Sequence, residues 1–154
     1  MSYNCELIEQ PARPALAVRA RTKVQDLSRV LGEAYGAIMQ YLGPLGEGPA
    51  GPPYLAYFNM DMQDLDVEAG FPVARPLPGQ GKVQAVEIPG GKAAACLYVG
   101  PYSDCGAAYE ALTQWMRAHG YEPTGVAYEI YLNDPQQTPP EALQTQIVFP
   151  LKTA

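Results

Sequence analysis

The sequence predicts an α+β fold in which each half of the chain runs strand, helix, strand, strand, and the two halves share one sheet. The first sign is an internal echo. Tyr54-Leu55-Ala56-Tyr57-Phe58-Asn59 returns as Tyr128-Glu129-Ile130-Tyr131-Leu132-Asn133, 74 residues later, and Leu65 to Val73 returns as Leu143 to Leu151, 78 residues later. Four residues therefore entered the second connection. The second sign is a pair of apolar stripes at helical spacing, and the third is a set of strand-like runs flanking both. A half of this length has a marginal core by itself, so the halves are expected to share a sheet within one domain over residues 1–154.

In chain order, the first repeat covers about 3–73, a Pro- and Gly-bearing linker 74–82, and the second repeat about 83–154. Residues 15–21 read as a strand. A helix is expected from Thr22, where Thr22-Lys23-Val24-Gln25 has the capping-box pattern that satisfies two orphan backbone donors. Val24, Leu27, Leu31, Tyr35, Ile38 and Leu42 form its stripe, and Gly43-Pro44 ends it. Strands follow at 54–59 and 67–73. In the second half, strands at 83–88 and 93–99 precede a helix starting at Ser103, with Ala108, Leu112, Trp115 and Met116 as its core face and Gly120 as its stop. Strands at 127–133 and 145–151 complete the unit. Two short β-forming stretches, 5–8 and 83–88, are candidates to pair as extra strands.

Composition narrows the function. Charged residues are 17% and apolar residues 47%, the balance of a globular chain. The net charge of −6 and a pI near 4.7 argue against a nucleic-acid partner, which needs a basic footprint. No apolar run is long enough to span a membrane, and the N-terminus lacks the form of a signal peptide. Cys5, Cys96 and Cys105 are odd in number and lack metal-ligand spacing, so they read as reduced thiols and the chain as cytoplasmic. No metal or cofactor is expected. His119, the single histidine, sits at a helix end and builds no nucleophilic triad. Asp61, Asp64, Asp66 and Glu68 miss the calcium-loop pattern and read as a solvated hairpin.

The position that stands out is Glu129, an acid where the first copy carries Leu55. Alternate side chains of a strand share a face, so Glu129, Tyr131 and Asn133 point one way, as do Leu55, Tyr57 and Asn59. If a pseudo-two-fold relates the halves, these faces meet across a shared cleft that tyrosines and Trp115 can line. A carboxylate among aromatic rings favours a cation through charge and through the negative ring faces, at about 0.5–2 kcal/mol for each cation–π contact. The competing readings are a solvated strand face for Glu129, cross-strand packing for Tyr57 and Tyr131, surface packing of a turn for Tyr102, and core packing for Trp115. Tyr35 and Tyr109 on the helices rank below Trp115 as contacts.

The ordered set Gly51-Pro52-Pro53-Tyr54, Asp66-Val67-Glu68-Ala69-Gly70-Phe71-Pro72-Val73, Gly100-Pro101-Tyr102, Trp115 and Tyr128-Glu129-Ile130-Tyr131-Leu132-Asn133-Asp134-Pro135 resembles the GyrI-like superfamily. This is the small-molecule-binding module that also serves as effector-binding domain of AraC- and MerR-type multidrug regulators, with a SOUL/Rob-like fold. The resemblance spans about Glu6 to Leu151. It implies duplicated β-α-β-β units forming a curved antiparallel sheet, two main helices packed on it and a central aromatic cleft for lipophilic, often cationic, compounds. It places the family's pocket glutamate on Glu129 through the Tyr-Glu-x-Tyr context, brings Tyr102 near the cleft and sets Glu68 on a strand facing its rim. The expected ligand contacts are thus Glu129, Tyr57, Tyr102, Tyr131, Leu55, Trp115 and Glu68. No helix-turn-helix precedes the module, so direct DNA binding is not expected, and any protein partner is open. Two functions share this site. One is a stand-alone binder of lipophilic, cationic or aromatic compounds. The other, implied because some GyrI-like proteins resemble hydrolases that open strained cyclopropane rings, is a hydrolase of cyclopropanoid natural products with Glu129, Tyr102 and Tyr131 as catalytic groups.

Overall fold

The structure is a computed structural model that describes residues 3–134 and 136–152. Pro135, the last residue of the Tyr128 motif, and residues 1, 2, 153 and 154 lie outside the described residues. The elements are β1 (Cys5–Gln10), β2 (Arg13–Thr22), α1 (Leu27–Leu42), β3 (Tyr54–Tyr57), β4 (Leu65–Pro72), β5 (Gln84–Ile88), β6 (Gly91–Val99), α2 (Gly106–Ala118), β7 (Ala127–Tyr131) and β8 (Gln144–Pro150), joined in places by short 3-10 turns. The class is α+β, with the β-α-β-β order occurring twice: β2-α1-β3-β4 and β6-α2-β7-β8. The chain divides into two compact units, one of residues 12–89 and one of residues 3–11 with 90–152.

In the unit of residues 12–89 the strand order is β5-β2-β4-β3, and each of these pairs is antiparallel. Helix α1 packs on β2 and β4. Its stripe buries Ile38 and Leu42 against Leu16, Val73, Leu77 and Val83, with Val18, Ala37, Tyr41 and Phe71 partly buried at the margin. Each such aliphatic side chain contributes about 1.5–3 kcal/mol by leaving water. The Pro- and Gly-bearing connection is more than a tether, because Leu77 enters this core and the hydroxyl of Tyr41 donates to the Pro78 carbonyl.

In the other unit the order is β1-β6-β8-β7, again antiparallel throughout. Helix α2 packs on β6 and β1 through Ala108, Leu112 and Met116. The two stretches considered as extra strands do not pair with each other: β1 adds to β6, and β5 adds to β2. The same small device closes β3 and β7. Asn59 donates to the Asp64 carbonyl and accepts from the Asp66 amide, while Asn133 donates to the Ala142 carbonyl and accepts from the Gln144 amide, all at 2.9–3.1 Å. The echoed asparagine is therefore a hairpin clamp, kept in both copies although the second loop is four residues longer.

Both helix starts differ from expectation. Thr22 is the last residue of β2, paired with Leu65, and its hydroxyl donates to the Lys23 carbonyl at 2.9 Å instead of capping a helix. The Val24 amide is taken by the Met62 carbonyl, so a 3-10 turn intervenes at Val24–Asp26 and α1 begins at Leu27. The ladder and the loop have claimed the groups that a capping box would use. Val24, counted into the stripe, is exposed. The second helix likewise starts late, at Gly106, after a 3-10 turn at Tyr102–Asp104.

Candidate functional site

Helix α2 and strand β7 meet at a buried acid. Glu129 pairs across the ladder with Ile147, so its side chain shares a sheet face with Ile147, Thr145 and Tyr131. On β6 that face continues through Cys96, opposite Ile147, and Tyr98, opposite Thr145. Glu129 is 7% exposed. Its carboxylate accepts two phenol hydrogen bonds, from Tyr109 on α2 to Oε2 and from Tyr131 to Oε1, the latter at 2.8 Å. The Tyr131 ring meets Tyr102 edge-on at 5.3 Å between centroids, and the Tyr109 ring lies 5.7 Å from Phe149. Tyr102, 37% exposed, is the solvent-facing ring of this group.

The electrostatics follow from burial. Loss of solvent pushes the Glu129 carboxyl above its ordinary value, and the Tyr109 and Tyr131 hydrogen bonds pull partly the other way because they favour the charged form. The negative field of Glu129 reaches its neighbours. Burial first, and then Glu129, raises the Tyr102 phenol; the same two causes push the Cys105 thiol up to about 11. Among the described residues no Lys, Arg or His forms an ion pair with Glu129. A buried carboxylate with two neutral donors and no counter-ion is a place that a cation stabilises.

The expected residues divide accordingly. Glu129, Tyr131 and Tyr102 come together. Tyr109, a helix ring ranked below Trp115 as a contact, is the helix's direct link to the acid. Its signal was present: 109, 112 and 116 recur at three and four with the buried Leu112 and Met116, and Tyr109 stands 74 residues after Tyr35. Trp115 stacks instead with His119, at 4.4 Å, and Tyr121, at 5.7 Å. That stack lies about 9 Å along the helix axis from Tyr109.

Leu55, Tyr57 and Glu68 belong to the unit of residues 12–89 and are described within it. Leu55 is fully buried on β3. Tyr57 ends that strand, half-buried and paired with Val67. Glu68 on β4 faces Arg19 and Ala56 across the ladders and accepts from the Tyr54 hydroxyl at 3.0 Å; desolvation raises its pKa, with Tyr54 and then Arg19 opposing. Tyr35, the counterpart of Tyr109, donates to the Tyr54 carbonyl at 2.8 Å. The acidic hairpin is tied up by arginines: Arg19 holds Asp66 in a bidentate pair and Arg21 holds Asp64 likewise. Among the described residues no group of three or more His, Cys, Asp or Glu is arranged to hold a metal, and no helix is long and apolar enough to cross a membrane.

The fold recurs in solved structures. In the EcmrR–DNA complex, EcmrR superposes with a TM-score of 0.85 at 21% identity, over 99% of this chain and 58% of that one. The chain thus spans somewhat over half of EcmrR. The isolated EcmrR C-terminal domain matches over 100% of both chains, with a TM-score of 0.79 and 21% identity. A hydrolase from Listeria innocua matches over 96% of this chain and 91% of its own, at 0.68 and 18% identity. SAV2435, bound to tetraphenylphosphonium, matches over 99% and 94%, at 0.63 and 9% identity. At these identities the likeness establishes the fold. No curated protein sequence matches the chain. The sequence family described as the GyrI-like small molecule binding domain matches residues 3–152, nearly the whole chain, and the protein belongs to that family.

Proposed function

We propose that this GyrI-like domain takes up a lipophilic cation, with Glu129 as the charge partner and Tyr109, Tyr131 and Tyr102 as the surrounding rings. One observation carries the reading: a carboxylate 7% exposed, held by two phenols and lacking a counter-ion among the described residues. A cation arriving there gains the charge and the ring faces together. It also displaces the proton that burial favours on the carboxyl. The complex of the structural neighbour SAV2435 with tetraphenylphosphonium supports this ligand class, and membership of the GyrI-like small molecule binding domain family supports a ligand-binding role. The acidic balance of the chain favours such a ligand over nucleic acid as the direct partner. Titration with tetraphenylphosphonium tests the reading. Glu129→Gln is expected to weaken binding roughly ten- to a hundred-fold, the range for hydrogen bonds and contacts to a charged group. An unchanged affinity would remove Glu129 from the site.

A hydrolase is the second reading, favoured by the raised Glu129 carboxyl pKa and by the Listeria innocua neighbour, itself a hydrolase. Glu129 would take a proton from water as the water oxygen bonds to a strained cyclopropane carbon. The breaking carbon–carbon bond would send its electrons through the conjugated ring to a dienone carbonyl oxygen, which becomes a phenolate hydrogen-bonded by Tyr102, while Tyr131 holds Glu129. General-base assistance of this kind contributes roughly 10²–10⁴-fold. Turnover of a cyclopropane-bearing substrate, lost in Glu129→Ala, selects this reading; absence of product selects binding.

A further inference from the structure

Thr145 is 2% exposed, and its hydroxyl has no hydrogen-bond partner among the described residues. It is the sole buried side-chain polar atom among them in that condition. A buried hydroxyl left without a partner carries a desolvation cost, and native structures satisfy nearly all such groups. Its position gives the cost a meaning. Thr145 lies directly opposite Tyr131 on β7 and Tyr98 on β6, on the sheet face that carries Glu129. From Glu129 it is one diagonal step across the ladder, a backbone separation of roughly 7–8 Å. Its two facing tyrosines are occupied elsewhere: Tyr131 donates to Glu129 and Tyr98 donates to the Pro101 carbonyl at 2.7 Å.

We propose that Thr145 is a second polar anchor of the site, hydrogen-bonding an uncharged oxygen of a ligand whose cationic group pairs with Glu129. This inference rests on the cation-binding reading above. It narrows the ligand class to lipophilic cations carrying a hydroxyl, ether or carbonyl oxygen about one diagonal strand spacing from the positive centre. The acid supplies affinity for the charge. The threonine distinguishes ligands that satisfy its hydroxyl from isosteres that leave it bare, and a site built around a buried polar group rejects the latter.

Two probes separate these roles: tetraphenylphosphonium, and the same ion bearing a hydroxymethyl group on one ring. Calorimetric titration of wild type, Thr145→Val, Thr145→Ser and Glu129→Gln gives the readout. The expected result is that Thr145→Val weakens the alcohol-bearing probe roughly five- to ten-fold, the worth of one net hydrogen bond, and leaves the parent ion unchanged. Thr145→Ser restores the alcohol's affinity, and Glu129→Gln weakens both probes. The ligand-free melting temperature of Thr145→Val is expected to equal or exceed that of wild type, since no internal bond is lost. The proposal is overturned if Thr145→Val affects both probes alike or neither, or if it lowers the ligand-free melting temperature while Thr145→Ser restores it. In those cases a Glu129→Gln effect shows that the cation site stands without Thr145. Failure of wild type to bind either probe overturns both readings together.

Discussion

Tyr109 on α2 donates its phenol hydrogen to Glu129 on β7, a bond between residues twenty apart that ties the helix to the strand carrying the acid. Tyr131 supplies the second donor from two residues along the same strand. The pair does for the carboxylate what water would do outside: it stabilises the charged form against the burial that opposes it. The two roles, holding the helix down and holding the charge, are linked in one hydroxyl.

Tyr109→Phe keeps the ring and removes the donor. The Glu129 carboxyl should titrate at still higher pH, and the fold should lose about 1–3 kcal/mol, the cost of leaving a buried polar group less satisfied. A carbon-13 carboxyl titration and a denaturant melt together check this. A Glu129 titration unmoved by the substitution would mean that the phenol does not govern the charge.

Stability should also depend on pH in a defined sense. Folding raises the Glu129 pKa above its ordinary value of 4.5. Between those two values the folded chain holds a proton that the unfolded chain has released, so stability falls as pH rises through that window. Glu68, also raised, acts in the same direction. Asp64 and Asp66 are lowered by Arg21 and Arg19, and their contribution disappears as pH falls, but these pairs are exposed and screened by solvent. Glu129→Gln should therefore melt above wild type at pH 8, with the difference shrinking toward pH 4. Cation affinity should rise across the same window as the competing proton leaves. A variant less stable than wild type at pH 8 would contradict the burial account.

The elements were legible because their signals are local. Stripes such as Leu31, Ile38 and Leu42 and the apolar run along 147–151 show in a single segment, and the echo revealed Glu129 by setting it against Leu55. The missed features depend on partners distant in sequence. That β1 lies on β6 and β5 on β2 is settled by which faces and edges are left open, and no residue within those strands announces it. Thr22 reads as a cap until the ladder with Leu65 claims it. Tyr109 is separated from Trp115 only by the rotation of α2 on the sheet: both lie near the apolar stripe, yet one meets Glu129 and the other stacks on His119 and Tyr121.

Thiol chemistry offers a check on the field of Glu129. The Cys96 thiol is pushed up to about 12 by burial and by its cross-strand neighbour Cys5, and the Cys105 thiol to about 11 by burial and then Glu129. Because the thiolate is the reactive form, at pH 8 roughly one Cys105 in a thousand is poised to react, and fewer Cys96. Both should alkylate slowly with iodoacetamide. Glu129→Gln should accelerate Cys105 and leave Cys96 as it was, read by peptide mass spectrometry. Equal acceleration at both thiols would indicate general loosening instead of a removed charge.

The last prediction concerns a glycine in the other unit. Gly70 on β4 lies opposite both Ala17 and Tyr54, and a Cβ built there would stand 2.7 Å from the Leu16 carbonyl oxygen and 2.8 Å from the end of the Tyr54 ring. Neither neighbour is free to retreat. Leu16 is held in the ladder, and Tyr54 is 2% exposed with its hydroxyl on Glu68. The absent side chain is thus what lets the end of the Tyr54 ring pass over Gly70 and reach the acid two residues along β4. Gly70→Ala should cost about 1–3 kcal/mol as an overpacked core does. It should also displace the Tyr54 hydroxyl, raising the Glu68 carboxyl pKa further because one of the interactions lowering it is lost. Tyr54→Phe provides the control, since it removes the same hydrogen bond without the clash. If the two variants shift the Glu68 titration alike and only Gly70→Ala lowers the melting temperature steeply, the glycine acts through the ring it accommodates.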